Sequence, residues 1–270
     1  MLDSTPCLTL PLLIHYGLMN NRVVASSPLT NPATLPLRSA KRDRFGSTLV
    51  VAPHPDDETL GCGGAIALLR SLGCDVQVLV ISDGTLSHPR SQKYPAPLLR
   101  ALRESETLSA LALLGVDAAA VTFLRLQDGA IPTQNSPGIK NAVASCKDWL
   151  ALVAPQTIFL PWRYDPHPDH RASWKLIHSA LLNLPLSPRL IEYPIWDWDP
   201  EQRGSLPDTD PVTSWRLDIS SVVELKVRAI AAYRSQTTDL IDDDPEGFRL
   251  TAEMLANFTR PWEVYLEEIR

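Results

Sequence analysis

From Ser47 onward the chain alternates short runs of β-branched and aliphatic residues with longer amphipathic stretches, an order that few folds accept. The runs predict strands over 48–52, 76–81, 120–124, 157–160, 189–194 and 214–218. The stretches between them predict helices over about 60–72, 98–114, 138–153, 170–183 and 221–234. Early runs such as Thr48-Leu49-Val50-Val51-Ala52 are apolar at nearly every position, not at every second one. That pattern belongs to a strand covered on both faces, as in a parallel sheet between helical layers. Parallel neighbours require crossovers, and these are right-handed. The expected fold is α/β: a Rossmann-like three-layer α/β/α arrangement with a mostly parallel sheet. Residues 1–45 lack this periodicity and are rich in Pro, Ser, Thr and Asn, so they read as an N-terminal extension preceding one domain over 46–270. The segment 195–213, rich in Trp, Asp and Pro, reads as a long loop near a site.

Two clusters of imidazoles and carboxylates stand where predicted strands run out. His54-Pro55-Asp56-Asp57-Glu58 follows the first, and His167-Pro168-Asp169-His170 follows the fourth. In open α/β sheets, ligands gather at the carboxyl ends of strands. One site built from two distant loops is therefore expected. His54 and Asp57, three apart at a turn into a helix, project to the same side. With His170 they make two imidazoles and one carboxylate, a ligand set that leaves a position open for water and suits a hydrolytic zinc ion. Iron, cobalt and nickel accept the same ligands. Asp56 points differently from Asp57, toward that water, as a general base. His167, as an imidazolium, either stabilises an oxyanion or protonates a leaving group, and Asp169 orients its ring. The plainer reading makes Asp57 or Glu58 a cap of the helix near Leu60, and Asp169 a cap of the next. Two clusters, both placed after strands, favour the site. A non-haem iron oxygenase shares the ligand set, and a silent sugar-binding protein is a further alternative.

Other classes recede. The chain has a net charge of −6, and its one basic cluster, Arg38 to Arg44, contains Asp43, so no nucleic-acid partner is expected. Cys7, Cys62, Cys74 and Cys146 form no Cys-x-x-Cys pair and read as free thiols in a reducing compartment, hence the cytoplasm. The apolar stretch Leu8 to Met19 is short, carries Pro11 and His15, and lacks a basic region before it. It reads as neither signal peptide nor membrane span; docking on the domain and self-association as a homo-oligomer stay open. Gly61-Cys62-Gly63-Gly64 lacks the glycine order of a dinucleotide fingerprint and suits close helix–sheet packing.

These motifs resemble the LmbE/PIG-L family of metal-dependent de-N-acetylases, whose signatures are A-H-P-D-D-E and H-P-D-H; Pro53 stands where the family often has alanine. The likeness spans about 47–270. It includes Gly61-Cys62-Gly63-Gly64, Ser82-Asp83-Gly84, Arg103-x-x-Glu106 with Ala110 and Leu114-Gly115, Asp218-Ile219-Ser220, Lys226 and Arg234-Ser235-Gln236. Tyr233 stands where a histidine is frequent. The resemblance implies zinc ligands at His54, Asp57 and His170, a general base at Asp56 and an electrophile at His167. It further implies a contact from Arg103 to a sugar hydroxyl or substrate anion, where the bland alternative is a solvated helix face with Arg100, Glu104 and Glu106. Asp128, in a turn by default, matches a sugar-contacting position. Tyr164 and Asp165 are within reach of the pocket. Trp196 and Trp198 are either core or a sugar-stacking wall, and Trp215 reads as core. The implied activity is zinc-dependent removal of an N-acyl group, acetyl first, from an amino sugar, a glycoconjugate or a related amide.

Overall fold

The computed structural model describes residues 28–203 and 212–269. The Leu8–Met19 stretch, Cys7 and residues 204–211 of the expected loop lie outside them. In chain order the elements are β1 (Leu37–Arg38), β2 (Thr48–Ala52), α1 (Asp57–Ser71), β3 (Val76–Ser82), α2 (Ala96–Leu113), β4 (Val121–Leu126), α3 (Ile139–Val153) and β5 (Thr157–Pro161). There follow α4 (Pro168–Leu181), β6 (Arg189–Tyr193), β7 (Val212–Asp218), α5 (Val223–Ile230), α6 (Arg234–Thr237), α7 (Ala252–Phe258) and β8 (Trp262–Glu268).

The eight strands form one sheet in the order β1-β7-β8-β6-β5-β2-β3-β4. All pairings are parallel except those of β8, which runs antiparallel between β7 and β6. The alternation of side chains along each strand feeds two cores. Val50, Ala52, Val78, Val80 and Phe159 pack under α1, α2 and α5. Leu49, Val51, Leu79, Ile81, Ile158 and Leu160 pack under α3 and α4. This is the expected three-layer α/β/α fold, and burial on both faces explains the unbroken apolar runs. Trp215 is fully buried, as expected.

Several elements differ from the sequence expectation. The helix expected over 221–234 is two, α5 and α6, separated by a turn at Ala231–Tyr233. Neither β8 nor α7 is announced by an apolar run; β8 carries Glu263, Glu267 and Glu268. And α1 begins at Asp57, not near Leu60, which draws the first cluster into the helix itself. Among the described residues no helix is long and apolar enough to cross a membrane, and Cys62, Cys74 and Cys146 are unpaired.

Candidate active site

The chain steps from β2 to β3 and β4 on one side, then returns to place β5 and β6 on the other. The carboxyl ends of β2 and β5 therefore flank the point where strand order reverses, the ligand-binding crevice of open α/β sheets. Both clusters leave from these ends. Asp57 opens α1, and His167 caps α4, its Nδ1 accepting the Asp169 N–H at 3.2 Å. The capping alternative fails for Asp57 and Asp169 but holds in part for Glu58, which accepts the N–H of Asp56, the residue before α1, at 3.2 Å. Asp56 makes no side-chain capping bond, and Asp57 Oδ2 accepts the His54 backbone N–H at 2.9 Å instead.

The three residues expected to bind one ion meet. Asp57 Oδ2 lies 3.1 Å from His54 Nδ1 and 3.3 Å from His170 Nε2. His167 joins them: one ring nitrogen from each of His54, His167 and His170 falls within a 4.8 Å group. A second such group comprises His54, Asp128 and Asp169, with Asp128 Oδ1 at 3.2 Å and Asp169 Oδ2 at 3.3 Å from His54 Nε2. Both ring nitrogens of His170 are buried without a hydrogen-bond partner, although Asp165 Oδ1 sits 3.4 Å from Nδ1. A buried imidazole whose two nitrogens each face a carboxylate without a well-formed hydrogen bond fits a divalent cation better than an empty core.

Charges here control one another. Burial acts to lower His54, but Asp128, Asp169 and Asp57 overturn it and hold the ring well above its ordinary value. Burial likewise opposes His170, which Asp165 and Asp57 raise to about 9. Asp57, despite burial, is driven down by His170 and His54. Burial lifts Asp56 to about 8, against the pull of Arg103. His167 is pushed down to about 4 by burial and by its two cationic neighbours. The expected imidazolium at His167 is thus disfavoured by like charge. The neutral ring accepts at Nδ1, so its proton belongs on Nε2, a hydrogen-bond donor.

The geometry gives two residues, Asp169 and Arg103, other contacts than the sequence reading expected. The Asp169 carboxylate does not hold His167; its oxygen accepts from Gly129 N–H at 2.7 Å and faces His54, and only the Asp169 backbone touches the His167 ring. Arg103 is buried, not on a solvated face. Its guanidinium donates to Pro55 O, to Gly84 O at 3.1 Å and to Asp56 Oδ2 at 3.0 Å. It grips the Asp56 turn. Asp128 lines the pocket, with Oδ2 accepting the Leu86 N–H at 2.8 Å.

Sequence reasoning missed two supports. Asp165 accepts from the backbone N–H groups of His167, Ile195 and Trp196, tying the second cluster to the 195–203 loop. Glu58 accepts the Asp56 N–H at 3.2 Å and a bond from the Tyr233 hydroxyl. The run of three acids, 56–58, offered a hint of the latter; the partner 175 residues away did not. His54, Asp56, Asp57, Arg103, Asp128 and His167 line one end of a cavity of about 790 Å³.

A mostly parallel α/β sheet with a buried imidazole–carboxylate centre at its switch point is an arrangement suited to ligand chemistry at strand ends. Residues 49–181 match the PIG-L family model, described as GlcNAc-PI de-N-acetylase. This part of the chain is a domain of that family of amide-cleaving de-N-acetylases. The chain is 29% identical over 191 residues to the diacetylchitobiose deacetylase of Thermococcus kodakarensis, covering 70% of this chain and 69% of the relative. It is 27% identical to a probable N-acetyl-alpha-D-glucosaminyl L-malate deacetylase 2 of Bacillus subtilis, covering 78% and 92%. Its fold is similar to that of N,N'-diacetylchitobiose deacetylase from Pyrococcus horikoshii, with a TM-score of 0.59 at 24% identity, over 82% of this chain and 83% of that one.

Proposed function

We propose that this chain is a metal-dependent hydrolase that removes an N-acyl group, acetyl in the first instance, from an amino sugar or related amide. The observation that carries the reading is the meeting of His54, Asp57 and a fully buried His170 beside buried Asp56, with His54, Asp56 and Asp57 on the wall of one cavity. His54, Asp57 and His170 would hold a divalent ion, Zn²⁺ first, which would supply Lewis acidity toward the amide and its attacking water. Asp56 takes the proton of that water as its oxygen bonds to the acyl carbon, and returns it to the nitrogen as the C–N bond breaks. Amide and water leave as acid and amine. Burial, which raises the Asp56 carboxyl, favours the proton it must carry between water and nitrogen, and the Arg103 guanidinium favours the carboxylate that must first accept it. His167 offers Nε2–H to the oxygen that gains charge in the tetrahedral state. Arg103 holds Asp56 in line, and Asp128 steadies His54 at the pocket edge.

The test pairs metal analysis with detection of free amine from N-acetylglucosamine. Asp56→Asn should retain metal and lose about 10²–10⁴ in kcat, the usual cost of a lost general base. His170→Ala should lose metal along with activity. His167→Ala should keep metal and lose about 10²–10³ in kcat, as for one oxyanion donor. Parental turnover by Asp56→Asn would remove the base from the mechanism. Equal metal loss in the two histidine variants would make His167 a third imidazole ligand.

A further inference from the structure

The polar centre fills only one end of the cavity. From His167 the wall turns apolar without a gap: the Trp196 ring stacks on His167 at 5.9 Å and 25°, and meets Phe248 at 5.5 Å on its far side. Trp198, Met254, Phe258 and Leu86 continue the lining. Trp198 is backed by the Arg260 guanidinium at 4.9 Å. Phe248 is tied across the mouth by its N–H to Ser87 O at 2.6 Å. Thr251 caps α7 through the Met254 N–H at 3.2 Å, fixing the helix that presents Met254 and Phe258. A volume of about 790 Å³ falls in the upper part of the roughly 300–1,000 Å³ range that encloses drug-sized ligands. A lone N-acetylated monosaccharide would leave this wall facing water.

Polar groups that read sugar hydroxyls are scarce beyond the centre. Gln202 donates to Asp199 and Asn257 accepts from Arg260. Both Asp128 oxygens face His54 and the Leu86 N–H, and the terminal nitrogens of Arg103 are engaged at the Asp56 turn. The Ser87 hydroxyl donates to Gly84 O, Asp199 accepts from Gln202 and the Glu201 N–H, and Glu201 and Glu253 are exposed. Mixed aliphatic, thioether and aromatic side chains from three segments wrap a group rather than present one flat platform to a second sugar ring. We propose that the substrate carries an apolar alkyl or aryl group, attached through its acyl or its glycosidic end, that lies along Trp196, Phe248 and Met254. This rests on the deacylation reading of the centre and specifies its substrate class.

The Zn²⁺-loaded full chain is assayed for amine release from four compounds: N-acetylglucosamine, its octyl glycoside, N-octanoylglucosamine and diacetylchitobiose. Each buried methylene is worth roughly fourfold. Half-burial of an octyl chain therefore predicts a gain on the order of 10²-fold in kcat/KM, mostly in KM, because ground and transition states share the contact. Whichever octyl compound gains shows which end of the substrate meets the wall. Leu86→Ser and Met254→Gln should cut that advantage about tenfold; neither side chain is fully buried, and melting curves check that both variants fold. The same compounds are titrated by calorimetry into metal-free protein. Octyl-dependent binding without amine release from any of them supports the apolar subsite while refuting the deacylation reading. Turnover with neither octyl compound exceeding N-acetylglucosamine by threefold overturns the subsite and leaves the deacylation reading intact. Diacetylchitobiose as the best of the four also overturns it, in favour of a second sugar.

Discussion

Asp56 occupies a backbone conformation, φ 130°, that a residue with a Cβ rarely adopts. Such strain costs on the order of 1–3 kcal/mol and persists only where neighbours hold it. Arg103 on its carboxylate and Glu58 on its amide do so here, with Glu58 anchored by Tyr233. Tyr233, at a position where the family resemblance leads one to expect histidine, thus has a place in this chain as a hydroxyl donor. Asp197 is a second carboxyl under stress. Burial and the nearby charge of Asp165 raise it to about 7, and its Oδ2 has no hydrogen-bond partner. The folded state prefers its neutral form, so its stabilising contribution is complete below the unfolded value near 4 and is lost as pH climbs through about 7. Asp197→Asn imitates the neutral acid. It should raise Tm at pH 8 by about 4–8 °C, on the order of 2 kcal/mol, and leave Tm near the parent's at pH 4. Thermal scans at both pH values decide it; an equal gain at each would mean the effect is packing, not charge.

At the scale of elements, α1 is unusual in being buried nearly all round. Its glycines permit this: a Cβ on Gly61 would stand 2.2 Å from the Tyr193 ring, and one on Gly64 2.6 Å from Ile219. Through the bared face, Glu263 of β8 accepts the N–H groups of Gly64 and Ala65 at 2.7 and 2.8 Å. Lys226 of α5 donates to Leu60 O and to Glu263, both at 2.7 Å. A buried acid–base pair thus fastens the helix that carries Asp57 to both β8 and α5. Removing one partner of such a pair typically costs about 3–5 kcal/mol, because the other charge stays buried alone. Glu263→Gln and Lys226→Met should each destabilise by about that much, and the double variant by clearly less than their sum. Urea titrations measure the cycle; two small, additive losses would show that the pair does not fasten α1. The same pair explains why β8 escaped sequence reading. Its inward glutamate breaks the apolar alternation, and that glutamate is tolerable because a lysine from a distant helix and two backbone amides of α1 lie against it.

For the whole molecule, the centre joins two loops more than a hundred residues apart in sequence. An ion held by His54, Asp57 and His170 would bind the folded state alone and cross-link the ends of β2 and β5. Zn²⁺ at about 100 times its Kd should then add roughly 2.7 kcal/mol, a rise of about 5–11 °C in Tm for a domain of this size. A chelator should reverse the shift, and His170→Ala should abolish it. A Tm that ignores saturating metal would remove the cross-link.

Much of this was legible along the chain because it depends on local pattern. Unbroken runs such as 48–52 and 157–160 must be covered on both faces, and that alone requires helices on either side of a parallel sheet. The two histidine–aspartate clusters announce their strand ends because their spacing acts within a single turn. What the tertiary structure decided depends on partners that no local pattern names. The turn at Ala231–Tyr233 splits the expected helix and brings a hydroxyl to Glu58. Arg103 faces inward because Pro55 O, Gly84 O and Asp56 await it. His167 is pushed toward its neutral form by burial and by the positive charge that gathers around His54 and His170. Periodicity reports which side of an element is apolar; it does not report which distant charge will lie against the other side, and at a buried site that charge sets the chemistry.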